Sequence, residues 1–227
     1  VESKGASLNA WVESLLGRTS LGFEVRDERI RSTKLGKLLP EDEWQATGGH
    51  DGEDDKFYKY RDQRANVSAF LEHDVLLKQW TVSLGLMANL NDGLDTKWRF
   101  YPGIDVSYRP TEAWKLFVSW NMGLRMPTFT DLYYSGANIE GNSELKPEKT
   151  TDYQIGGRYT TRGFIAEVQG FYSHKKNMID WVTYNDANKV SDGIFHSVNF
   201  QMDNKGAEIN LQMLPRQLWG DNALVRK

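Results

Sequence analysis

The residues best equipped for chemistry in this 227-residue chain are few and scattered. Ser173-His174 and His196-Ser197 each place a nucleophile beside a base, the raw material of acyl transfer. Both pairs lie in alternating sequence that reads as strand, where neighbouring side chains point to opposite faces. A triad also needs a third orienting group at the same point, and none is marked by spacing. The four histidines, His50, His73, His174 and His196, show no metal-ligand spacing with one another. The chain has no cysteine, which removes disulfides, thiolate metal sites and cysteine nucleophiles. The run Asp51-Gly-Glu-Asp-Asp55 offers hard oxygen ligands of the kind Ca²⁺ takes. Its order departs from the EF-hand loop, and it reads as a solvated loop. Gly156-Gly157 falls inside a strand pattern, so no glycine loop cradles a phosphate. These residues do not point to an enzyme.

A denser group lies between residues 125 and 148. Arg125 has Asp131, Glu144 and Glu148 within reach as ion-pair partners, and Phe129, Tyr133 and Tyr134 supply aromatic surface between them. Two readings stand. In one, the charges fasten a loop to a wall, as loop carboxylates commonly do. In the other, Arg125, Phe129, Asp131, Tyr133 and Tyr134 grip a ligand, with the rings giving apolar contact.

The elements that must position this group are β-strands. Trp114, Leu116, Val118, Trp120, Met122 and Leu124 form an unbroken apolar row, opposed by Lys115, Ser119, Asn121 and Gly123. That period of two puts the rows on opposite faces of one strand. The same alternation recurs and predicts nine strands near 6–16, 19–31, 60–76, 79–90, 98–108, 113–124, 148–160, 163–176 and 195–214, with a tenth starting near Leu218. Short turns are expected at Gly17-Arg18, Leu77 to Gln79, Arg109 to Glu112, Thr160 to Arg162 and Pro215 to Gln217. Longer loops are expected at 32–59, 91–97, 125–147 and 177–194. Strands of about twelve residues, tight turns at one end and long loops at the other are the marks of a transmembrane barrel. Trp80, Trp98, Tyr108 and Trp114 at the ends of the rows suit its aromatic girdles.

Composition agrees. Lys plus Arg number 28 against 31 Asp plus Glu, and a net charge of −3 gives no reason to expect nucleic acid. The mean hydropathy of −0.61 is low, as it is for barrels whose strands turn half their residues to a wet interior. No run approaches the roughly 18 apolar residues of a membrane helix. No signal peptide opens the chain, so Val1 is not expected to be a native start.

Leu124-Arg-Met-Pro127 and Asn142-Ser-Glu-Leu-Lys-Pro-Glu148 resemble two boxes of the TonB-dependent outer-membrane receptors. There an "FRAP"-like box ends one strand and an "NPNL-KPE"-like box opens the next across an extracellular loop. Asp152-Tyr-Gln-Ile-Gly156 resembles the strand that follows, and Asn204-Lys-Gly-Ala-Glu208 a later strand start. The matches span residues 98 to 214; the earlier strands agree in pattern only. The resemblance implies an all-β, antiparallel up-and-down meander: a partial transmembrane β-barrel of about ten strands with long extracellular loops, forming one region over 1–227. Such receptors carry a plug domain with a TonB-binding segment and 22 barrel strands, so the chain is expected to be an internal piece of a receptor. The function implied is uptake of a scarce nutrient, a cobalamin or an iron chelate. The partners implied are outer-membrane lipid, the nutrient and TonB acting through the missing plug; no cofactor is implied. Haem receptors of the family place a histidine between the boxes, and Thr128 to Gly141 has none. A small porin or adhesin barrel with a passive role is the alternative. With two open sheet edges and an apolar face, the isolated chain is expected to need detergent or to self-associate.

Overall fold

The alternating rows become long strands. The structure, a computed structural model, describes residues 1–48, 56–93, 95–184 and 191–214. In chain order the long strands are β1 (Glu2–Ser14), β2 (Gly17–Ser32), β6 (Tyr60–Leu76), β7 (Trp80–Asn91), β8 (Asp95–Tyr108), β9 (Trp114–Arg125), β12 (Glu148–Thr161), β13 (Phe164–Tyr184) and β14 (Ser191–Met213). Two-residue strands lie between them: β3 (Lys37–Leu38), β4 (Gln45–Ala46), β5 (Phe57–Tyr58), β10 (Ser135–Gly136) and β11 (Ile139–Glu140). One short helix, α1, covers Phe129–Tyr133.

The long strands pair antiparallel with their chain neighbours in the order β1-β2-β6-β7-β8-β9-β12-β13-β14. This is the expected meander, with strand positions close to those read from the rows. Among the described residues the path does not close on itself, and β1 pairs only with β2. Register keeps each apolar row opposite its neighbour's: Leu8–Phe23, Leu21–Leu71, Leu71–Leu86, Val82–Val106, Val106–Val118, Val118–Ile155 and Val168–Ile209 are all direct partners. One slipped residue in any pair would turn a whole row over. The result is a single apolar face running across nine strands. Leu8, Phe23, Leu86, Leu116, Val118, Ile155 and Ile209 on it are exposed, with Ile209 at 71 %. An apolar band this wide and uncovered is a face made for lipid.

Near the short turns the band ends in paired rings, one pair stacked and one tilted. Trp80 lies 4.4 Å from Tyr108 and Trp114 lies 4.9 Å from Tyr159, centroid to centroid. The opposite face is polar, and there Phe70, Phe117 and Phe171 lie over Gly22, Gly156 and Gly206 of the adjoining strands. A Cβ on Gly22 would meet the Phe70 ring at 1.8 Å. Glycine at these positions lets a large ring lie flat on a wall that is otherwise polar.

Three expectations need adjusting. The loop expected at 91–97 is a tight connection, because Asn91 Oδ1 accepts the Gly93 N–H at 3.0 Å and β8 is already under way at Asp95. Most of the loop expected at 177–194 is strand. A bulge between Lys175 and Met178, with Asn177 at φ 54°, absorbs an extra residue and lets β13 and β14 run on. The first turn falls at Leu15-Leu16, not Gly17-Arg18. The acidic run 51–55, His50, the turn at 215–217 and the strand near Leu218 lie outside the described residues. No helix among the described residues is long and apolar enough to cross a membrane, which says nothing of strands.

Candidate functional site

The loop between β9 and β12 leaves the wall at its long-loop end and folds back over the polar face. Its departure has a local cause: the β8–β9 ladder stops at Gly103–Asn121, next to Pro102, which has no N–H to donate. Pro127 is fully buried. Thr128 then caps α1 in both directions: its hydroxyl accepts the Asp131 N–H at 3.1 Å, and its own N–H donates to the Asp131 carboxylate at 2.9 Å.

Three attachments hold the loop. The first reaches β6. The Arg64 guanidinium lies 4.7 Å from the Phe129 ring centroid, donates to the Pro127 carbonyl at 2.6 Å and pairs with Glu28 at 2.6 Å. Tyr133 donates its hydroxyl to Asp62 at 2.7 Å, and Lys37 stands 3.6 Å from the same carboxyl group. Burial, and then the hydrogen bond and charge of Asp62, push the Tyr133 hydroxyl well above the ordinary tyrosine range.

The second attachment is ionic and sits at the junction of the two boxes. Arg125 and Glu148 are direct cross-strand partners, 3.6 Å apart. Arg125 also lies 3.5 Å from Asp131 and donates to the Ile179 carbonyl at 3.3 Å. Glu148 is 5 % exposed, and its other oxygen lies 3.5 Å from the Lys175 ammonium. The third attachment reaches β14. Lys146 donates its N–H to Asn199 Oδ1 at 2.7 Å, and Asn199 Nδ2 donates back to the Lys146 carbonyl at 3.0 Å and to the Asn177 carbonyl at 2.8 Å. Beyond it β11 pairs parallel with β14, Ile139 opposite Phe195.

The five sequence candidates are thus gathered in one loop and its root, with unequal surfaces. Phe129 and Asp131 are buried, the first against Arg64 of β6 and the second against Arg125 and the Thr128 cap. Arg125 and Tyr133 are tied to named partners. Tyr134 keeps an exposed ring at 37 %. Glu144, a third possible partner of Arg125, is exposed, and the pairing goes to Asp131 and Glu148. Sequence reasoning missed Arg64, Asp62 and Asn199. Nothing local marks them, because their partners lie 53 to 71 residues away.

The polar groups that could have made chemistry stay apart. β13 puts Ser173 on the polar face and His174 on the other, where His174 meets Asp203 at 2.6 Å. His73 hydrogen-bonds Thr19 at 2.8 Å, and His196 lies 3.6 Å from Glu140. Among the described residues no three His, Cys, Asp or Glu side chains gather as metal ligands. What the loop offers is a fixed surface, held at three points over a polar wall.

The family model for TonB-dependent-receptor-like β-barrels matches residues 6–225. The chain belongs to this family. Its place is therefore the outer membrane of a Gram-negative bacterium, with the apolar face toward lipid. It resembles the vitamin B12 transporter BtuB of Photobacterium profundum, 25 % identical over 162 residues, covering 70 % of this chain and 25 % of that protein. Among solved structures, the siderophore receptor PirA from Pseudomonas aeruginosa superposes with a TM-score of 0.66 at 15 % identity, over 92 % of this chain and 36 % of that one. A mutant of the ferric enterobactin receptor PfeA from the same organism gives 0.68 at 19 %, over 94 % and 33 %. The chain spans about a quarter of the curated relative and about a third of these structures, whose likeness shows the fold. In TonB-dependent receptor terms the described residues supply wall strands and the loop between the two boxes.

Proposed function

We propose that this chain is the wall and loop segment of a receptor that takes up a scarce nutrient, a cobalamin or an iron chelate, across the outer membrane. The observation that carries the reading is the loop 126–147, pinned over the polar face with the Tyr134 ring free. A ligand surface gains affinity when it is ordered before the ligand arrives. Arg125, Phe129, Asp131 and Tyr133 set the loop's position, and Tyr134 offers the contact. Energy would come from TonB acting on a plug domain, as the family implies. The relatives' names, a vitamin B12 transporter and siderophore receptors, support both cargo classes equally.

The test is growth of a strain lacking the parent gene on single cobalamin or iron-chelate sources, with the gene restored as wild type or Tyr134→Ala. Failure on one source, rescued by wild type and at least tenfold less well by Tyr134→Ala, supports the reading. Normal growth of the deletion strain on every source would leave a passive porin or adhesin barrel as the better account. Expressed alone, the chain exposes an apolar face and unpaired strand edges, so we expect it to need detergent or to associate with itself. A monodisperse monomer in plain buffer would contradict the lipid-facing assignment.

A further inference from the structure

On the lipid-facing side, β12 and β13 set two lysines directly opposite each other at the band's outer limit. Trp98 to Tyr108, Lys149 to Tyr159 and Asp203 to Met213 are same-face residues ten positions apart on β8, β12 and β14. At about 3.3 Å per residue and a tilt near 40°, ten residues span about 25 Å, the height of an outer-membrane apolar band. Tyr108, Tyr159 and Met213 mark its short-turn limit, so Lys149 stands at the long-loop limit, level with Trp98. Lys176 is its direct cross-strand partner on β13.

Both lysines are exposed, and like charges directly opposite on a sheet repel. Neither has an ion-pair partner among the described residues. The nearest carboxylate on that face, Asp203, is occupied by His174 Nδ1 at 2.6 Å and by the Tyr172 hydroxyl at 3.0 Å. On the same face of β1 and β2, by contrast, Lys4 pairs with Glu2 at 2.7 Å and Arg29 with Asp27 at 2.5 Å.

We propose that Lys149 and Lys176 together hold a phosphate of an anionic lipid headgroup in the outer leaflet. The inference rests on the outer-membrane reading and adds a specific lipid contact to it. The lysine stems lie along the edge of the apolar band while the ammonium groups reach the headgroup layer. One phosphate between them turns a repulsive pair into a bridged one. Thr151 and His174 form the next pair on that face, and beyond them the Tyr153 and Tyr172 rings, 6.1 Å apart, add surface suited to an interface.

The test uses the receptor carrying this chain, purified in dodecyl maltoside, with thermal unfolding followed as bisphosphorylated lipid A, phosphatidylcholine or inorganic phosphate is added. We expect lipid A to raise the unfolding temperature. Lys149→Gln with Lys176→Gln should raise its half-saturating concentration about thirtyfold, at roughly fivefold per lysine near an anionic surface. Lys149→Arg with Lys176→Arg should keep the wild-type value, and so should Lys4→Gln. If the double variant does not assemble, each single variant should show its own fivefold change. Equal response of wild type and the glutamine variants overturns the proposal, as does an equal effect of phosphatidylcholine. Saturation by 10 mM inorganic phosphate would also overturn it, reducing the site to one for free anions. A receptor that unfolds identically without detergent would instead sink the outer-membrane reading beneath it.

Discussion

Replacing Arg125 by Met keeps the stem of the side chain and removes the guanidinium, which tests how the loop is fastened. Arg125 stands 3.5 Å from Asp131 and 3.6 Å from Glu148. At an effective dielectric near 20, a pair at that distance is worth about 4–5 kcal/mol before desolvation. The guanidinium is 47 % exposed, so screening brings each pair toward the 1 kcal/mol of surface bridges. The carboxylates left behind are 8 % and 7 % exposed, which raises the cost, since a buried charge losing its partner is expensive. Asp131 retains the Thr128 N–H, and Glu148 retains Lys175. The net is about 2 kcal/mol against the closed loop, or roughly thirtyfold more opening. Hydrogen exchange of Tyr134, Gly141 and Asn142, whose N–H groups donate within the loop, should quicken by that factor. The amides of β12 and β9 should exchange at their former rate. Loop exchange within twofold of wild type would refute the reasoning, as would acceleration confined to the wall strands.

Three further outcomes are expected. Val118→Arg, in the middle of the apolar band, should cost about 2–4 kcal/mol and lower the yield of heat-modifiable folded barrel, while Ser119→Arg on the polar face should leave it nearly unchanged; equal losses would overturn the assignment of faces. Gly22→Ala should destabilise by about 1–3 kcal/mol through overpacking, since the three atoms nearest its Cβ all belong to the Phe70 ring, and Phe70→Ala should relieve it; at Gly156 the Val168 carbonyl would stand 2.8 Å from the Cβ, so Phe117→Ala should rescue Gly156→Ala only partly. Tyr133 should remain protonated throughout the ordinary tyrosine range, so alkaline absorbance titration to pH 11.5 should count as many phenolates in Tyr133→Phe as in wild type. Because the folded-state pKa is raised, the stabilisation linked to it is fully present below the ordinary tyrosine pKa and is lost only as pH climbs through the raised value.

The wall was legible because its rule is local. Trp114 to Leu124 alternate without a break, and the register of every neighbour repeats that choice of face. The extended β13–β14 pair was hidden by a single residue, Asn177, whose bulge shifts the alternation out of phase. The loop's fastening was not legible for a different reason. Arg64 reads as a solvated charge until Phe129, 65 positions further on, supplies a ring for it. The two boxes marked where the loop begins and ends, and left open what it would touch.

The pairing of β11 with β14 bears on the order of assembly. Ile139 belongs to the connection between β9 and β12, but its partner Phe195 arrives only after two more strands have been laid down. A contact closing that much intervening chain cannot form early, since loop closure must be met before the contact returns anything. The wall can therefore grow strand by strand from adjacent hairpins, while its clasp locks last. A receptor stalled before β14 would keep the β6 and Arg125 attachments of the loop and lack those made by Asn199 and Phe195.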